Sequence, residues 1–499
     1  MLKRARQFQG GYRFKNYINQ AEPEILEEKT PSQVIIPLRQ GFSIEVKPLV
    51  KKGDKVFAGQ IIARDDASIS SPVHSSINGV VEDIKAIDYL KHKVSAVVIK
   101  ASNSSQEISR LPGYSAQWQK LSSEKIEELI YLSGASSLGK SGIPTRFKSS
   151  IISPEDAEHL IIHAVGAQPY NISLELLLKD NSLVNFFEGI KILNKVMPKA
   201  KVHLAVNAQK KELIGRFVEL SAQLDWLDIY PLDAKYPAAA EEILVTTLLN
   251  RKFPYGYSAA NIGVVVLDIQ AVLGVSEAVI EGKPLIEKTI ALCGPSFKEN
   301  THLKVRVGTS LNEIVNERLK IEFPQRVILN SLLMGINLND LSLPVDRTFS
   351  EIIAIPENKE REFLAFLSPG VNADSYTRAF LAQWLPGARK SPDSNQHGEE
   401  RPCISCGYCE EVCPVKIIPH LLSKHVEREI IDEKLVNYGI YSCIECGLCN
   451  FVCPSKILLL QHIKKGQQEL AKEGLDRDKC VLPGFELKGL EELRSITKK

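Results

Sequence analysis

Long apolar runs are missing from this chain. Its longest, such as 263–267 and 457–460, stop far short of the ~20 residues a membrane-spanning helix needs. Charged residues interrupt their surroundings, so no segment is expected to cross a bilayer. Neither sign of charge is in excess: 62 Lys and Arg face 60 Asp and Glu, a formal charge of +2. So balanced a chain lacks the electrostatic footprint of a nucleic-acid binder. The first fifteen residues carry Lys3, Arg4, Arg6, Arg13 and Lys15 with no apolar stretch behind them, so they do not read as a secretory signal. A solvated basic arm is the expectation, with docking onto a membrane partner as its rival. Cysteine is scarce outside one region, where only Cys293 and Cys480 occur; the first sits on an apolar strand and reads as a core thiol, the second in a polar tail as a bystander. Such clustering opposes a distributed disulfide framework and favours reduced thiolates holding metal in the cytoplasm.

What is present suffices for several cores. At ~150 residues per domain, 499 residues suggest about three domains, and 44% apolar with 24% charged residues is globular composition. Residues 30–100 alternate short β-rich runs with turns at Gly53-Asp54, Gly59 and Asn78-Gly79, which predicts a small barrel or sandwich. The stretch VKPLVKKGDKVFAGQIIARDDASISSPVHSSINGVVEDI resembles the barrel-sandwich hybrid of lipoyl and biotinyl carriers. Where those carry a lysine at the hairpin tip, DDASIS intervenes, so a docking module is expected rather than a prosthetic-group carrier. From about 120 to 270, helix-like stretches alternate with short buried strands such as EHLIIHAV and NIGVVVLDI, predicting an α/β layer with a mostly parallel sheet. Residues 285–340 read as a β-grasp module, followed by the polar linker LPGARKSPDSNQHGEERP.

The chemistry lies in the remaining cysteines. Cys403, Cys406, Cys409 and Cys413-Pro414 form C-x₂-C-x₂-C-x₃-C-P, and Cys443, Cys446, Cys449 and Cys453-Pro454 repeat it. This is the run of bacterial two-cluster ferredoxins, in which three thiolates of one loop hold one cluster and the fourth cysteine serves the other. The resemblance implies one [4Fe–4S] cluster on Cys403, Cys406, Cys409 and Cys453 and a second on Cys443, Cys446, Cys449 and Cys413. Gly407 and Gly447 would let backbone amides approach the inorganic sulfurs. Zinc is the rival, since paired C-x-x-C builds ribbons, but it explains neither the third cysteine nor the repeated C-P. Helical spacing in the insert VKIIPHLLSKHVEREIIDEKLVNYGIYS predicts a helix-elaborated ferredoxin.

The order of these parts is similar to the C subunit of the Rnf/Rsx ion-translocating electron-transport complexes, related to the flavin subunit of respiratory complex I. The segments FQGGYRF, KKGDKVFAGQIIA, SPVHSSINGVV, GIPTRFK, QPYNIS, NIGVVVLDIQAV, GKPLIEKTIALCG and VRVGTSLNEIV carry the likeness together with both cysteine motifs. It implies a multidomain α/β and α+β fold: N-terminal arm and barrel-sandwich domain over 1–115, complex I flavin-subunit-like α/β domain over 116–275, β-grasp module over 276–345, helical segment and linker over 346–398, two-cluster ferredoxin domain over 399–470 and tail over 471–499. It also implies an electron-transfer subunit held peripherally on the cytoplasmic side of the inner membrane by integral membrane subunits, exchanging electrons with ferredoxin or another redox protein. FMN and NADH are the further ligands it implies, through a glycine-rich loop represented here by Gly134, Gly139, Lys140, Gly142 and Thr145. Three departures count against them. Ser137 and Lys140 replace loop glycines, Gly166 and Gln168 replace two glutamates in HAVGAQPY, and YPAAAEE replaces a glycine-bearing segment. Lys140 pairing with a phosphate is the counter-expectation. An NADH:FMN dehydrogenase module and an adaptor docking a redox enzyme are the rival functions.

Overall fold

The computed structural model describes residues 2–5, 7–14, 24–66, 69–90, 92–102, 108–320, 324–359, 392–395, 398–477 and 486–490. Val34, Ile36 and Leu38 alternate inward and, with Val97 and Ile99, fill the core of the N-terminal barrel, as expected of strands with one buried face. Its sheets run Gln33–Pro37, His92–Ala101, Gly79–Tyr89, Lys55–Val56 and Lys47–Pro48, Ile61–Arg64, Val73–His74. The long hairpin Gly79–Tyr89/His92–Ala101 outgrows the barrel, since Tyr89 and Val94 pack in the core of a six-stranded sheet beyond it.

The α/β unit has four parallel strands ordered Leu227–Leu232, Lys201–Asn207, His159–Ala164, Val264–Asp268. The chain steps outward from His159–Ala164 and then returns to pair on its other side. That reversal opens a crevice beyond the carboxyl ends of His159–Ala164 and Val264–Asp268. The helix Ser123–Ser133 leads into the glycine-rich loop: the Ser122 side chain caps its first turn and Gly134, at φ 81°, ends it.

Next comes a six-stranded mixed sheet in the order Ile25–Glu27, Thr301–Arg306, Glu287–Cys293, Glu351–Pro356, Gln325–Leu329, Ile336–Leu338. Its central pair is parallel and its outer hairpins antiparallel, consistent with a β-grasp arrangement. Two boundaries differ from the sequence expectation. Glu351–Pro356 is a central strand of this sheet, so the unit runs past 345, and Ile25–Glu27 adds an edge strand to it rather than belonging to the barrel. Which sheet a strand joins is set by partners distant in sequence, which its own residues do not identify. The expected helical segment and most of the linker, residues 360–391 and 396–397, lie outside the described residues, as does Cys480.

The basic arm is also not simply solvated. The Lys3 N–H donates to the Ile229 carbonyl at 2.8 Å, and Tyr12 and Tyr236 exchange two backbone hydrogen bonds at 2.8 Å each. Arg347, 1% exposed, locks three units together: its guanidinium donates to the Pro72 carbonyl at 2.7 Å and meets His74 Nδ1 at 3.2 Å and the Gly134 carbonyl at 3.5 Å. Burial, then Arg347 itself, holds His74 down to about 3, so the ring stays neutral beside the guanidinium. Removing one partner of a buried charged network leaves the rest unsatisfied. Arg347→Ala should therefore cost about 3–5 kcal/mol, read as a large drop in thermal midpoint; a midpoint within a degree of the parent would show the lock to be dispensable.

Candidate metal centres

The two cysteine motifs fold alike. In each, the residue two after the first cysteine takes a left-handed backbone (Ser405 φ 54°, Glu445 φ 55°), as do Gly407 and Gly447 (79°, 74°) and Lys416 and Lys456 (58° each). Left-handed non-glycine residues are uncommon, so two such matched pairs, with the glycine pair between them, mark one loop design used twice. The Ser405 and Glu445 N–H groups each point at the sulfur of the preceding motif cysteine, Cys403 and Cys443, at 3.4 Å. The glycines open short helices Tyr408–Glu411 and Leu448–Val452. Helices Pro419–Glu427 and Leu459–Lys472 pack across them, Gly466 lying so close that a Cβ there would come within 2.6 Å of Val426.

The eight sulfurs divide crosswise. Cys403, Cys406, Cys409 and Cys453 line one small cavity, and Cys413, Cys443, Cys446 and Cys449 line another. Thus Cys413 leaves its own motif for the second cavity and Cys453 leaves its own for the first. No group of three or more His, Cys, Asp or Glu among the described residues is arranged around a single ion; the sulfurs are spread over the walls of each cavity. Four cysteine sulfurs per cavity is the donor set of a [4Fe–4S] cluster, and the residues fit that group. Burial raises Cys409 to about 12, Cys443 to about 11 and Cys446 to about 12, so iron must displace protons from these three. His420 Nδ1 lies 3.7 Å from Cys409 Sγ.

The cavities differ in exposure. Cys406 is exposed and Cys403 half-buried, and the neighbouring Ile404 is 68% exposed. Cys413, Cys443 and Cys449 are buried, and the loop carrying Cys443 and Cys446 docks on the α/β unit. There the Tyr236 hydroxyl donates to the Cys446 carbonyl at 2.8 Å and the Tyr255 hydroxyl to Glu445 at 3.1 Å.

A cavity of about 350 Å³ occupies the crevice of the parallel sheet. The sequence-predicted loop residues are only partly there. Lys140 reaches it, while Gly142 lines a wider cleft toward the barrel and Glu445. Gly134, Gly139 and Gly142 all have positive φ, but each is needed internally: a Cβ would meet the Arg347 guanidinium at 2.4 Å, the Val266 carbonyl at 3.0 Å and the Ser149 carbonyl at 2.8 Å, respectively. Ser137 lies in the short turn Ala135–Ser137, and neither it nor Lys140 has positive φ. The backbone at these two positions suits any L residue, so the side chains that replace loop glycines there cause no backbone strain. Thr145 is buried behind the loop, 1% exposed.

The cavity wall is acidic. Glu241, Glu242, Asp268 and Glu351 face it, and Lys140 Nζ lies 3.1 Å from Glu242. Burial raises Glu241 and Glu351 to about 7 each, against the pull of the Ala259 N–H on one and of the Ile172 N–H and Ser350 hydroxyl on the other. Burial lowers Lys140, but Glu242 and Glu241 outweigh it and hold the lysine above its ordinary value. A flavin phosphate carries up to two negative charges, and this wall offers it four carboxyls and one lysine that is already paired. That charge balance counts against a flavin phosphate at this wall. Sequence reading saw YPAAAEE as a departure but missed that its glutamates face Lys140, since nothing local pairs positions about a hundred residues apart.

Three parts of the chain match known domain families: the RnfC barrel-sandwich hybrid domain over residues 6–104, the Nuo51 FMN-binding domain over 130–277 and the 4Fe-4S dicluster domain over 402–457. The C subunit of the proton-translocating ferredoxin:NAD(+) oxidoreductase complex of Clostridium ljungdahlii is 26% identical over 82% of this chain and 82% of its own length. The C subunit of the Na(+)-translocating counterpart from Acetobacterium woodii is 24% identical, covering 81% of this chain and 84% of that one. The C subunit of the ion-translocating oxidoreductase complex of Vibrio cholerae is 26% identical over 85% of this chain, which spans about half, 51%, of that longer protein. Among solved structures, an air-oxidised NAD+-reducing [NiFe]-hydrogenase aligns over 76% of this chain and 69% of that one with TM-score 0.41 and 11% identity. Barrel-sandwich, flavin-type and dicluster domain models match in this order, and C subunits of ion-translocating oxidoreductase complexes align with most of the chain at 24–26% identity, so the chain is similar to those subunits over most of its length.

Proposed function

We propose that the chain is the iron–sulfur electron-transfer subunit of an Rnf-like, ion-translocating oxidoreductase complex, relaying electrons one at a time through two [4Fe–4S] clusters. The observation that carries this is the pair of four-cysteine cavities, of which one has an exposed cysteine, Cys406, in its lining and the other has none. Cys403, Cys406, Cys409 and Cys453 hold the outer cluster and Cys413, Cys443, Cys446 and Cys449 the inner one. Bound clusters supply one-electron chemistry; the chain's own residues set who can reach it. The half-open loop around Ile404 and Cys406 lets a partner approach, while the inner loop, clamped by Tyr236 and Tyr255, faces the α/β unit and excludes solvent. The α/β unit acts as a scaffold and not as a flavin site, because of its acidic wall. Anaerobic rapid reduction with resolved cluster spectra tests the relay: a soluble one-electron donor should reduce the outer cluster first, and simultaneous or inner-first reduction would oppose the assignment.

The barrel, α/β, β-grasp and ferredoxin units would then be successive domains serving assembly. Integral membrane subunits are the proposed anchors, on the cytoplasmic face. No helix among the described residues is long and apolar enough to cross a membrane. Membranes carrying the complex should release the chain in high salt or chaotrope without detergent. A chain that needed detergent after every partner subunit had been deleted would contradict anchoring through partners.

A further inference from the structure

We infer that the N-terminal segment Phe8–Phe14 is a positioning strap for the inner cluster; this rests on the cluster reading above. The Gly11 N–H donates to the Val412 carbonyl at 2.8 Å. Gly10, at φ 69°, lies so close that a Cβ would come 2.6 Å from the Cys413 carbonyl oxygen and 2.7 Å from that of Val412. The strap thus sits on the backbone of one inner ligand. It reaches a second ligand indirectly. Tyr12 exchanges two 2.8 Å backbone hydrogen bonds with Tyr236 and its ring meets Phe451 edge-on at 5.2 Å, while the buried Tyr236 hydroxyl donates to the Cys446 carbonyl at 2.8 Å.

Cys413 and Cys446 come from different motifs yet line the same cavity. Within the ferredoxin unit, their relative position depends on packing between the two loops. The strap adds an external brace, joined to one ligand's backbone directly and to the other's through Tyr236. Two successive left-handed glycines make the approach feasible, because an L side chain at position 10 both resists that φ and collides with carbonyls that cannot swing away. A cluster's potential responds to hydrogen bonds, polarity and solvent access around its ligands. Gly10, Tyr12 and Tyr236 are therefore positioning residues, acting through Cys413 and Cys446 rather than touching the cluster.

The test uses the full chain, purified anaerobically, with an EPR-monitored redox titration. Tyr236→Phe removes one hydroxyl and keeps the ring. It should leave iron content unchanged and move one midpoint only, changing that cluster's reduced-to-oxidised ratio at fixed potential by about twofold to tenfold, the span of one ordinary hydrogen bond. The moving midpoint should be the one that persists in Cys453→Ser protein. Gly10→Ala should weaken iron retention in that same cluster. The inference is overturned if Tyr236→Phe moves neither midpoint or both equally, or if Gly10→Ala keeps both clusters at parental midpoints. A parent chain holding no iron–sulfur at all would end the cluster reading instead, which keeps the two failures distinct.

Discussion

Replacing Cys453 with serine should abolish the cluster bound by Cys403, Cys406 and Cys409, more than forty residues away in sequence, and spare the one bound by its own motif. Cys453 shares a cavity with the first three cysteines, whereas Cys413 shares one with Cys443, Cys446 and Cys449. Serine is a poor iron ligand, and a cubane missing one thiolate corner in a half-open cavity is exposed to loss. Iron should fall from about eight to about four per chain. The mirror substitution, Cys413→Ser, should remove the inner cluster. Because the loop of Cys443 and Cys446 is hydrogen-bonded to Tyr236 and Tyr255, the substitution should also loosen the ferredoxin unit from the α/β unit. EPR of the reduced proteins distinguishes the survivors. If each substitution destroyed the cluster of its own motif, crossed ligation would be wrong.

The second large effect concerns the crevice of the parallel sheet. Titrated with FMN and then NADH, the chain should bind each with Kd weaker than about 1 mM, which is less than about 4 kcal/mol. Lys140 alone does not decide this. Its ion pair with Glu242 is 55% exposed on the lysine side, worth under about 1 kcal/mol, so the lysine could turn to a phosphate. The carboxyls behind it could not leave. Glu241 and Glu351, raised to about 7, are partly ionised at neutral pH and become neutral as pH falls. Any residual phosphate binding should therefore strengthen below pH 7 and weaken above it. Glycine at positions 137 and 140 should restore nothing, since neither backbone position needs glycine and the acidic wall remains. Micromolar FMN binding with flavin reduced by NADH would refute the scaffold reading and favour a dehydrogenase module.

What was legible in the sequence was what is local in sequence. The cysteine loops announce their chemistry because ligands two and three residues apart must face one centre, and the proline after each fourth cysteine marks the turn away from it. The short β-rich runs of the barrel and the alternation of helix and strand over 120–270 were readable for the same reason. The rest depends on pairs far apart. Arg347 meets His74 across 273 residues and Tyr236 meets Cys446 across 210, and no periodicity couples such positions. The glycine-rich loop misled in a more instructive way. Gly134, Gly139 and Gly142 do have the backbone that only glycine adopts cheaply, which is the observation a phosphate loop would give. Here the space a side chain would fill belongs to Arg347 and to two carbonyls. A glycine reports a need for room, not what fills it. The carboxyls of the crevice were likewise visible as letters but not as a wall, because a helix start (Glu241, Glu242), a strand end (Asp268) and a strand of the neighbouring sheet (Glu351) assemble them from distant parts of the chain.

Iron and acid-labile sulfide, assayed together on full-length protein made and handled without oxygen, test the central claim most directly. Two complete [4Fe–4S] clusters predict about eight of each per chain. Stoichiometric zinc without sulfide in the same preparation would contradict it.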